Sequence, residues 1–574
     1  MTASQSNGQS NGTAAAANGH LNQAITSSGS TNGTNGKGKK LKFLVIGAGS
    51  RGHAYAEAVT DATSAVIHAV AEPHTYKRRE FGQRFIWGTQ GKPSEGQEFT
   101  DWKEWLQWEQ ERRRKKQQQQ QQQPDSVPDG VDGVFVCSLD ETHVEIMTAI
   151  APLQLHVLCE KPLATSLRDC LAIYRAFVPR GQEDSAPSKV FSIGHVLRYS
   201  PHNMRLRQLL LTDRVIGDIV SIEHTEPVGW WHFAHSYVRG NWRRETSEGV
   251  GSLLTKSCHD IDFILWLLSS PPPGAPRDTP PHAPRSISST GVLTQFRPQR
   301  KPAAAGSATN CLSCPAERSC NYSALRIYRD LQLAKGDTAW PVSIVCPDIE
   351  DTLRTAGMSA AEELLLRRLG EDYDRATTPD AEIAARPWYG RCVYEADNNV
   401  CDDQTVTITW DDDDSPTTKS LPSRIAKTAT LHMIAPTEKQ CERRGRVYGT
   451  EGELEYDSRT IRIYSFTTRS FTTIEIPRQP PKEERSHGGG DYGLTRMFVA
   501  AVDAVENHGW DVRDAQAHFV GCTLEEAVRS HAVVFAAEEA RREEKVVRWK
   551  EWWEEKLKSF AVAADDAGKS ALAL

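Results

Sequence analysis

"KLKFLVIGAGSRGHAYAEAV", Lys40 to Val59, decides the fold of the first part of the chain. Leu41 to Ile46 is a short continuous apolar run, the pattern of a strand buried on both faces of a parallel sheet. Gly47-Ala48-Gly49-Ser50-Arg51-Gly52 follows as G-x-G-x-x-G and opens a helical pattern. In that strand–turn–helix setting each glycine has its own task. Gly47 permits the tight turn, Gly49 lets a pyrophosphate approach the backbone, and Gly52 lets helix and strand pack closely. Ser50 and Arg51 begin the helix, whose N-terminus faces the phosphates. "AVIHAVAEP", Ala65 to Pro73, reads as a second strand with Glu72 at its end. A carboxylate at that offset accepts hydrogen bonds from the adenosine ribose and repels a 2′-phosphate, so NAD is the expected cofactor. Arg51, Lys77, Arg78 and Arg79 pull toward NADP, since each offers a cation to that phosphate. The competing reading is a glycine turn in an α/β domain that binds no nucleotide.

Working outward, "VDGVFVCSL" (Val131 to Leu139) and "HVLCEKPL" (His156 to Leu163) are further buried strands, with a helix between them from about His143. Strands alternating with helices over residues 39–165 predict a Rossmann domain with a doubly wound parallel sheet. From Ile219 onward strand-like runs dominate, among them "QTVTITW", "ATLHMIAP" and "TIRIYSF". They predict a second, α/β domain over 166–545 with a large, mostly antiparallel open sheet, closed by helices near Gly493 and over Leu524 to Glu543. Residues 1–38 hold almost no large apolar side chain and read as a disordered tail. Two insertions interrupt the pattern: a Gln-rich one at about 109–130 and a Pro-rich, Cys-containing one at about 270–385. Residues 546–574 read as a partly disordered extension.

The 574 residues are 39% hydrophobic and 25% charged, with a formal net charge of −7. That balance gives no electrostatic footprint for nucleic acid or an anionic membrane. No apolar run approaches the roughly 18–20 residues of a membrane helix, and no secretory signal is expected. The twelve cysteines stand mostly alone in apolar segments, as at Cys137, Cys159 and Cys170. This suits reduced thiols in a cytoplasmic protein. The exception is "NCLSCPAERSCNYSA", where Cys311, Cys314 and Cys320 are spaced to hold a structural zinc with a fourth ligand such as Cys346, Cys392 or a histidine. Free thiols in a loop are the alternative.

Three segments together carry a family resemblance: "GAGSRG", "LCEKPLA" (Leu158 to Ala164) and "LLTKSCHDIDFILWLL" (Leu253 to Leu268). The chain resembles the Gfo/Idh/MocA oxidoreductases, over about residues 40–545 apart from the insertions. "SYVRGNWR", "WYGRCVYEADNNVCDDQ", "YGTEGELE" and "HGGGDYGLTRMFVAAV" look like one subgroup of it. The resemblance implies NAD(P) bound between the two domains, with His143, Glu160 and Lys161 on the cofactor side. It also implies a homo-oligomer formed through the open sheet. Lys161 would reach the nicotinamide ribose and the substrate hydroxyl. His259 matches the family's active-site histidine, which ends an Asp-x-x-x-His pattern. Here the chain departs: Thr255 stands where that aspartate would be, with Lys256 beside it, so Asp260 or Asp262 would have to replace the carboxylate.

The chemistry of the side chains points the same way. Oxidising an alcohol needs a base for the hydroxyl proton while hydride leaves, and histidine suits that task near neutral pH. Ammonium groups at Lys161 and Lys256 would stabilise a developing alkoxide. Against this stands the reading of His259, Asp260 and Asp262 as caps of the helix "FILWLL". For substrate, Arg198, Tyr199, Trp242 and Asp260 offer an aromatic face and hydroxyl-binding groups that suit a sugar, sugar acid or cyclitol. The function expected is an NAD(P)-dependent dehydrogenase acting on such a hydroxyl. Two other readings stand beside it: a redox-neutral enzyme that oxidises a sugar transiently, and a non-catalytic NAD- or sugar-sensing regulator.

Overall fold

The computed structural model describes residues 38–119, 127–178, 188–271, 275–276, 279–413 and 424–571. The expected tail, most of the Gln run and part of the Pro-rich loop lie outside them. The expected central strand is β1 (Lys42–Ile46), and after its first residue it is wholly buried. The helix opened by the glycine turn is α1 (Ser50–Ala62). There follow β2 (Val66–Ala71), α2 (Thr75–Phe85), β3 (Glu98–Phe99), α3 (Trp102–Gln119), β4 (Gly133–Val136), α4 (His143–Ile150), β5 (His156–Cys159), α5 (Leu167–Phe177) and β6 (Phe191–Ile193). The six strands pair in the order β3-β2-β1-β4-β5-β6, all parallel. The order reverses between β1 and β4, and the crevice at the carboxyl ends of these strands is where such sheets take a ligand. The boundary expected at 165 falls one strand short, because β6 pairs with β5.

The second sheet has nine strands in the order β14-β13-β12-β11-β7-β10-β9-β8-β15. Its members are β7 (Ile219–Pro227), then after α6 (Cys258–Leu268) β8 (Ser286–Val292), and after α7 (Ile349–Leu369) β9 (Asp403–Trp410), β10 (Lys427–Ile434), β11 (Arg444–Gly449), β12 (Gly452–Tyr456), β13 (Thr460–Ser465) and β14 (Ser470–Glu475). Two helices, α8 (Gly490–His508) and α9 (Leu524–Arg542), precede the edge strand β15 (Val547–Arg548). Only β7 and β10 run parallel; the other pairs are antiparallel. In β9, "DQTVTITW" alternates strictly between half-buried and buried residues, as a strand with one covered face must. All eleven residues of α6 are buried, because it packs against α9, β7 and β10.

The long insertion lies between β8 and β9, so β8 itself sits inside the span expected for it. It builds its own apolar cluster, in which Phe296, Ile327, Tyr328 and Leu365 pack on Val228, Phe233 and Tyr237. The extension after 545 is an edge strand and a helix over its described residues. No described helix is long and apolar enough to cross a membrane.

Candidate active site

The glycine loop has the shape a pyrophosphate requires. Gly47 has φ +94°, and a Cβ there would lie 2.6 Å from the Cys137 carbonyl oxygen. A Cβ at Gly52 would lie 2.2 Å from the Gly47 oxygen and 3.1 Å from Cγ1 of Val45, so that glycine is what brings α1 against β1. At Gly49 a Cβ would meet nothing within 4 Å: this is the open side of the loop. Ser50 is exposed beside it at the first turn of α1, where backbone N–H groups lack helical partners. Glu72 is buried at the end of β2 and locks the loop. One oxygen accepts from the Ala48 N–H at 2.8 Å and the other from the His74 N–H at 2.8 Å. These residues fit a dinucleotide, with lone pairs of Glu72 left for ribose hydroxyls.

Arg51 does not offer its guanidinium to a phosphate. Its Nε donates to Glu160 at 2.7 Å and its two Nη atoms donate to Asp491 of α8 at 2.7 and 3.2 Å. Burial opposes the charge, but Asp491 and Glu160 outweigh it and hold the pKa well above the ordinary arginine value. Glu160 also accepts from the Tyr55 hydroxyl and the Lys161 N–H. Burial alone would raise its pKa, yet Arg51 and the other donors keep it below the usual value. Glu160 therefore acts through its neighbours, fixing the backbone from which Lys161 projects. His143 does likewise: it is fully buried and donates from Nδ1 to the Pro162 carbonyl at 2.8 Å.

Lys161 reaches across to the second domain. Its Nζ donates to the Thr255 carbonyl oxygen at 2.8 Å and lies 5.5 Å from the centroid of the Trp242 ring. The indole Nε1 donates to Asp140 at 2.8 Å. Burial raises the Asp140 pKa, with Lys161 pulling the other way. The side chain of Thr255 turns back to the Gly251 carbonyl, so it replaces none of the expected carboxylate chemistry. One helical turn on, His259 has its Nδ1 sealed in the interior with no hydrogen-bond partner among the described residues. Its pKa falls well below 6.5, through burial first and then the positive charge of Lys161. The ring is therefore neutral at pH 7 and able to take a proton.

Lys256 is committed elsewhere. Its Nζ lies 2.8 Å from Sγ of Cys441 and 3.3 Å from Glu226. Burial disfavours the ammonium, but Cys441 and Glu226 outweigh it and raise the pKa. Arg443 bridges Glu226 at 2.6 Å and Asp260 at 3.0 Å. Asp260 also accepts from Nε2 of His224 at 2.8 Å. Burial disfavours the Asp260 charge, yet Arg443 and His224 bring its pKa down to about 2.

Several expected substrate contacts are corrected by this geometry. Asp260 is fully buried between Arg443 and His224. Arg198 is buried and forms a two-point pair with Asp262, at 2.7 and 2.9 Å, while its Nη1 donates to the Gly521 carbonyl. Tyr199 donates to the Val520 carbonyl at 2.7 Å. These groups fasten the chain before α9 instead of facing a ligand. Asp262 also approaches His195, whose Nδ1 is 3.0 Å from Oδ1. Of the four expected, Trp242 alone stands beside Lys161. Among the described residues, the group of metal-type ligands with atoms all within 4.8 Å of one another is His195, Cys258 and His531. It does not fit a metal, because His531 donates from Nδ1 to Ala527 and accepts at Nε2 from the Leu163 N–H. Cys311, Cys314 and Cys320 fall outside it. The antiparallel backbone bridge between Asn310 and Arg391 sets Cys311 opposite Gly390 and Cys392 opposite Thr309.

The sequence reading missed Asp140, His195, Glu226, Arg443 and Asp491. A signal existed for two of them. Asp140 follows a strand at the carboxyl edge of the parallel sheet, and Asp491 lies in the quoted "HGGGDYG".

Comparison with known proteins places this architecture. Residues 41–183 match the family described as "Oxidoreductase family, NAD-binding Rossmann fold", and residues 209–275 match its "C-terminal alpha/beta domain". The two matched segments follow one another in the order Rossmann domain, then C-terminal α/β domain. It is 30% identical over 142 residues to the 2,7-anhydro-N-acetylneuraminate hydratase of Escherichia coli, covering 25% of this chain and 35% of that protein. It is 32% identical over 141 residues to inositol 2-dehydrogenase 1 of Saccharopolyspora erythraea, covering 25% of this chain and 36% of that one. The match spans about a third of the length of these curated relatives. The fold is also that of an inositol dehydrogenase homolog from Azotobacter vinelandii solved with NAD+ (TM-score 0.52, 12% identity, 90% of this chain and 100% of that one).

Proposed function

We propose that the protein transfers hydride between NAD and a hydroxyl-bearing carbon of a sugar, sugar acid or cyclitol. The observation that carries this reading is the hydrogen bond from Lys161 to the Thr255 carbonyl. It sets an ammonium one helical turn before a neutral, buried histidine, at the carboxyl edge of the glycine-loop sheet. Bound NAD would supply the hydride acceptor, held by the Gly47–Gly52 loop and Glu72. His259 would take the hydroxyl proton at Nε2, the ring nitrogen not sealed in the interior. Lys161 would steady the oxygen as negative charge grows on it. Trp242 would present an apolar face to a ring, oriented by its bond to Asp140. Lys256, on Glu226 and Cys441, would contact substrate without joining the proton path. The inositol 2-dehydrogenase among the relatives is consistent with a cyclitol substrate.

The test is a sugar, sugar-acid and cyclitol screen with NAD and NADP, read by absorbance of the reduced nicotinamide. NADH should accumulate with at least one compound. Turnover without NADH would favour a redox-neutral reaction, and no turnover with any compound would remove the reading. We also propose a structural zinc on Cys311, Cys314 and Cys320, supported by three thiols on one short loop, where Cys320 feels the charges of Cys311 and Cys314. A homo-oligomer through the nine-stranded sheet is supported by exposed apolar side chains on it, Val220 of β7 and Phe471 of β14. Light scattering tests that assembly.

A further inference from the structure

The insertion between β8 and β9 reaches the adenosine end of the cofactor cradle. Asp348, the residue before α7, places Oδ1 3.3 Å from Nε2 of His74. His74 belongs to the turn between β2 and α2, and its backbone N–H is the one held by Glu72 at 2.8 Å. Glu72, His74 and Asp348 therefore form one connected line from the expected ribose carboxylate to the second domain. Glu350 follows on the same turn of α7 and is exposed. Partial desolvation first and then Glu80 raise its pKa, while His53, Arg84 and Lys77 pull it down. Tyr76, in the first turn of α2, feels the charges of both Glu350 and Asp351.

The cations of this turn are correspondingly occupied. Arg78 donates from Nε to Glu98 at 3.0 Å and from Nη1 to the Glu72 carbonyl at 2.6 Å. Arg51 is paired with Glu160 and Asp491. Lys77 and Arg79 remain as candidate partners for a 2′-phosphate, and the insertion sets Glu350 within electrostatic reach of Lys77 and Asp348 on His74 of the same turn. A phosphate carrying up to two negative charges would meet carboxylates from two separate segments of the chain.

We propose that Asp348 and Glu350 are specificity-determining residues for the dinucleotide, excluding NADP by charge repulsion at the β2–α2 turn. This rests on the reading that the cradle holds NAD, and it deepens that reading: cofactor choice is made by the second domain's insertion as well as by Glu72. A like charge a few ångströms away at a partly exposed site disfavours binding by a factor on the order of ten. The selection is therefore shared between Glu72 and the insertion, and neither alone accounts for it.

The test is direct binding of NAD and of NADP to the whole protein, by calorimetry or tryptophan fluorescence, for wild type and the near-isosteric double variant Asp348→Asn/Glu350→Gln. Wild type should bind NAD more tightly. The variant should bind NADP about tenfold more tightly than wild type does, with NAD changed less than threefold. An unchanged ratio, or equal changes for the two dinucleotides, overturns the proposal while leaving the NAD reading in place. Wild type that binds neither dinucleotide overturns both. A circular dichroism melt of the variant matching wild type confirms that the comparison is between folded proteins.

Discussion

Lys161 and Thr255 are joined by a 2.8 Å hydrogen bond from an ammonium to a backbone carbonyl, across the junction of the two sheets. The bond uses no side chain of Thr255, so the loss of an aspartate at that position does not undo it. The ammonium stays beside His259 because the helix backbone, not a carboxylate, receives it. The positive charge of Lys161 acts on the histidine together with burial, which is one reason the ring stays neutral.

Lys161→Ala and His259→Ala should each lower kcat by about 10²- to 10⁴-fold, the usual contribution of a positioned acid–base group. Dinucleotide binding, measured separately by fluorescence, should persist, because among the described residues the glycine loop and Glu72 share no hydrogen bond with either side chain. Near-normal turnover of His259→Ala on the true substrate would leave the residue as part of a helix start.

The pH profile follows from the same pair. A base must be unprotonated, and the His259 pKa is depressed, so the rate should hold on acidification past 6.5 and fall only at lower pH. Removing the Lys161 charge should let that pKa rise. The acid limb of kcat/KM in Lys161→Ala should then move to higher pH, and a limb that moves down or stays fixed contradicts the electrostatic account.

Lys256→Ala should raise KM about tenfold or more and change kcat less than about threefold. Its ammonium is bound to Glu226 and Cys441, away from the proton path. A loss of kcat equal to that of His259→Ala would mean Lys256 belongs to the relay.

Asp262→Ala should unfold more readily by about 3–5 kcal/mol, because it strands the buried Arg198 guanidinium. Its carboxyl is held far below the usual range, burial opposing and Arg198 outweighing it. That stabilisation is complete above the unfolded value near 3.9 and is lost as pH falls below it. Chemical denaturation at pH 7 and at pH 3 should show the gap between wild type and variant narrower at the lower pH.

Purified protein should contain about one zinc per chain by elemental analysis, and less after Cys311→Ser or Cys314→Ser. Metal-free protein of full stability would leave the cysteines as free thiols.

What the sequence made legible was local. Gly47, Gly49, Gly52 and Glu72 sit at fixed offsets around one strand and one turn, and the structure gives each a distinct steric or hydrogen-bonding task. The second sheet was legible from alternation, as in β9. What stayed hidden depends on distant partners. Asp491 meets Arg51 across 440 residues, and Asp348 meets His74 from inside an insertion with no periodic pattern of its own. Arg198 and Tyr199 looked like ligand-facing groups because a polar side chain after a strand looks the same whether it faces solvent or a buried carboxylate. The strand in "SKVFSIGHVLRYSP" was legible, but the boundary at 165 left it outside the first sheet, because a strand's sequence does not show which sheet it joins.

The pairing of Arg51 with Asp491 has a consequence for dissection of the protein. A fragment ending soon after β6 would contain every glycine of the loop and still lack Asp491, one of the two counter-ions of Arg51, the α8 surface on which α1 rests and the carbonyl that receives Lys161. Such a piece would hold its Arg51 guanidinium by Glu160 alone. The nucleotide-binding half is thus no detachable cassette: its cradle is completed only when the last part of the chain has folded back onto the first.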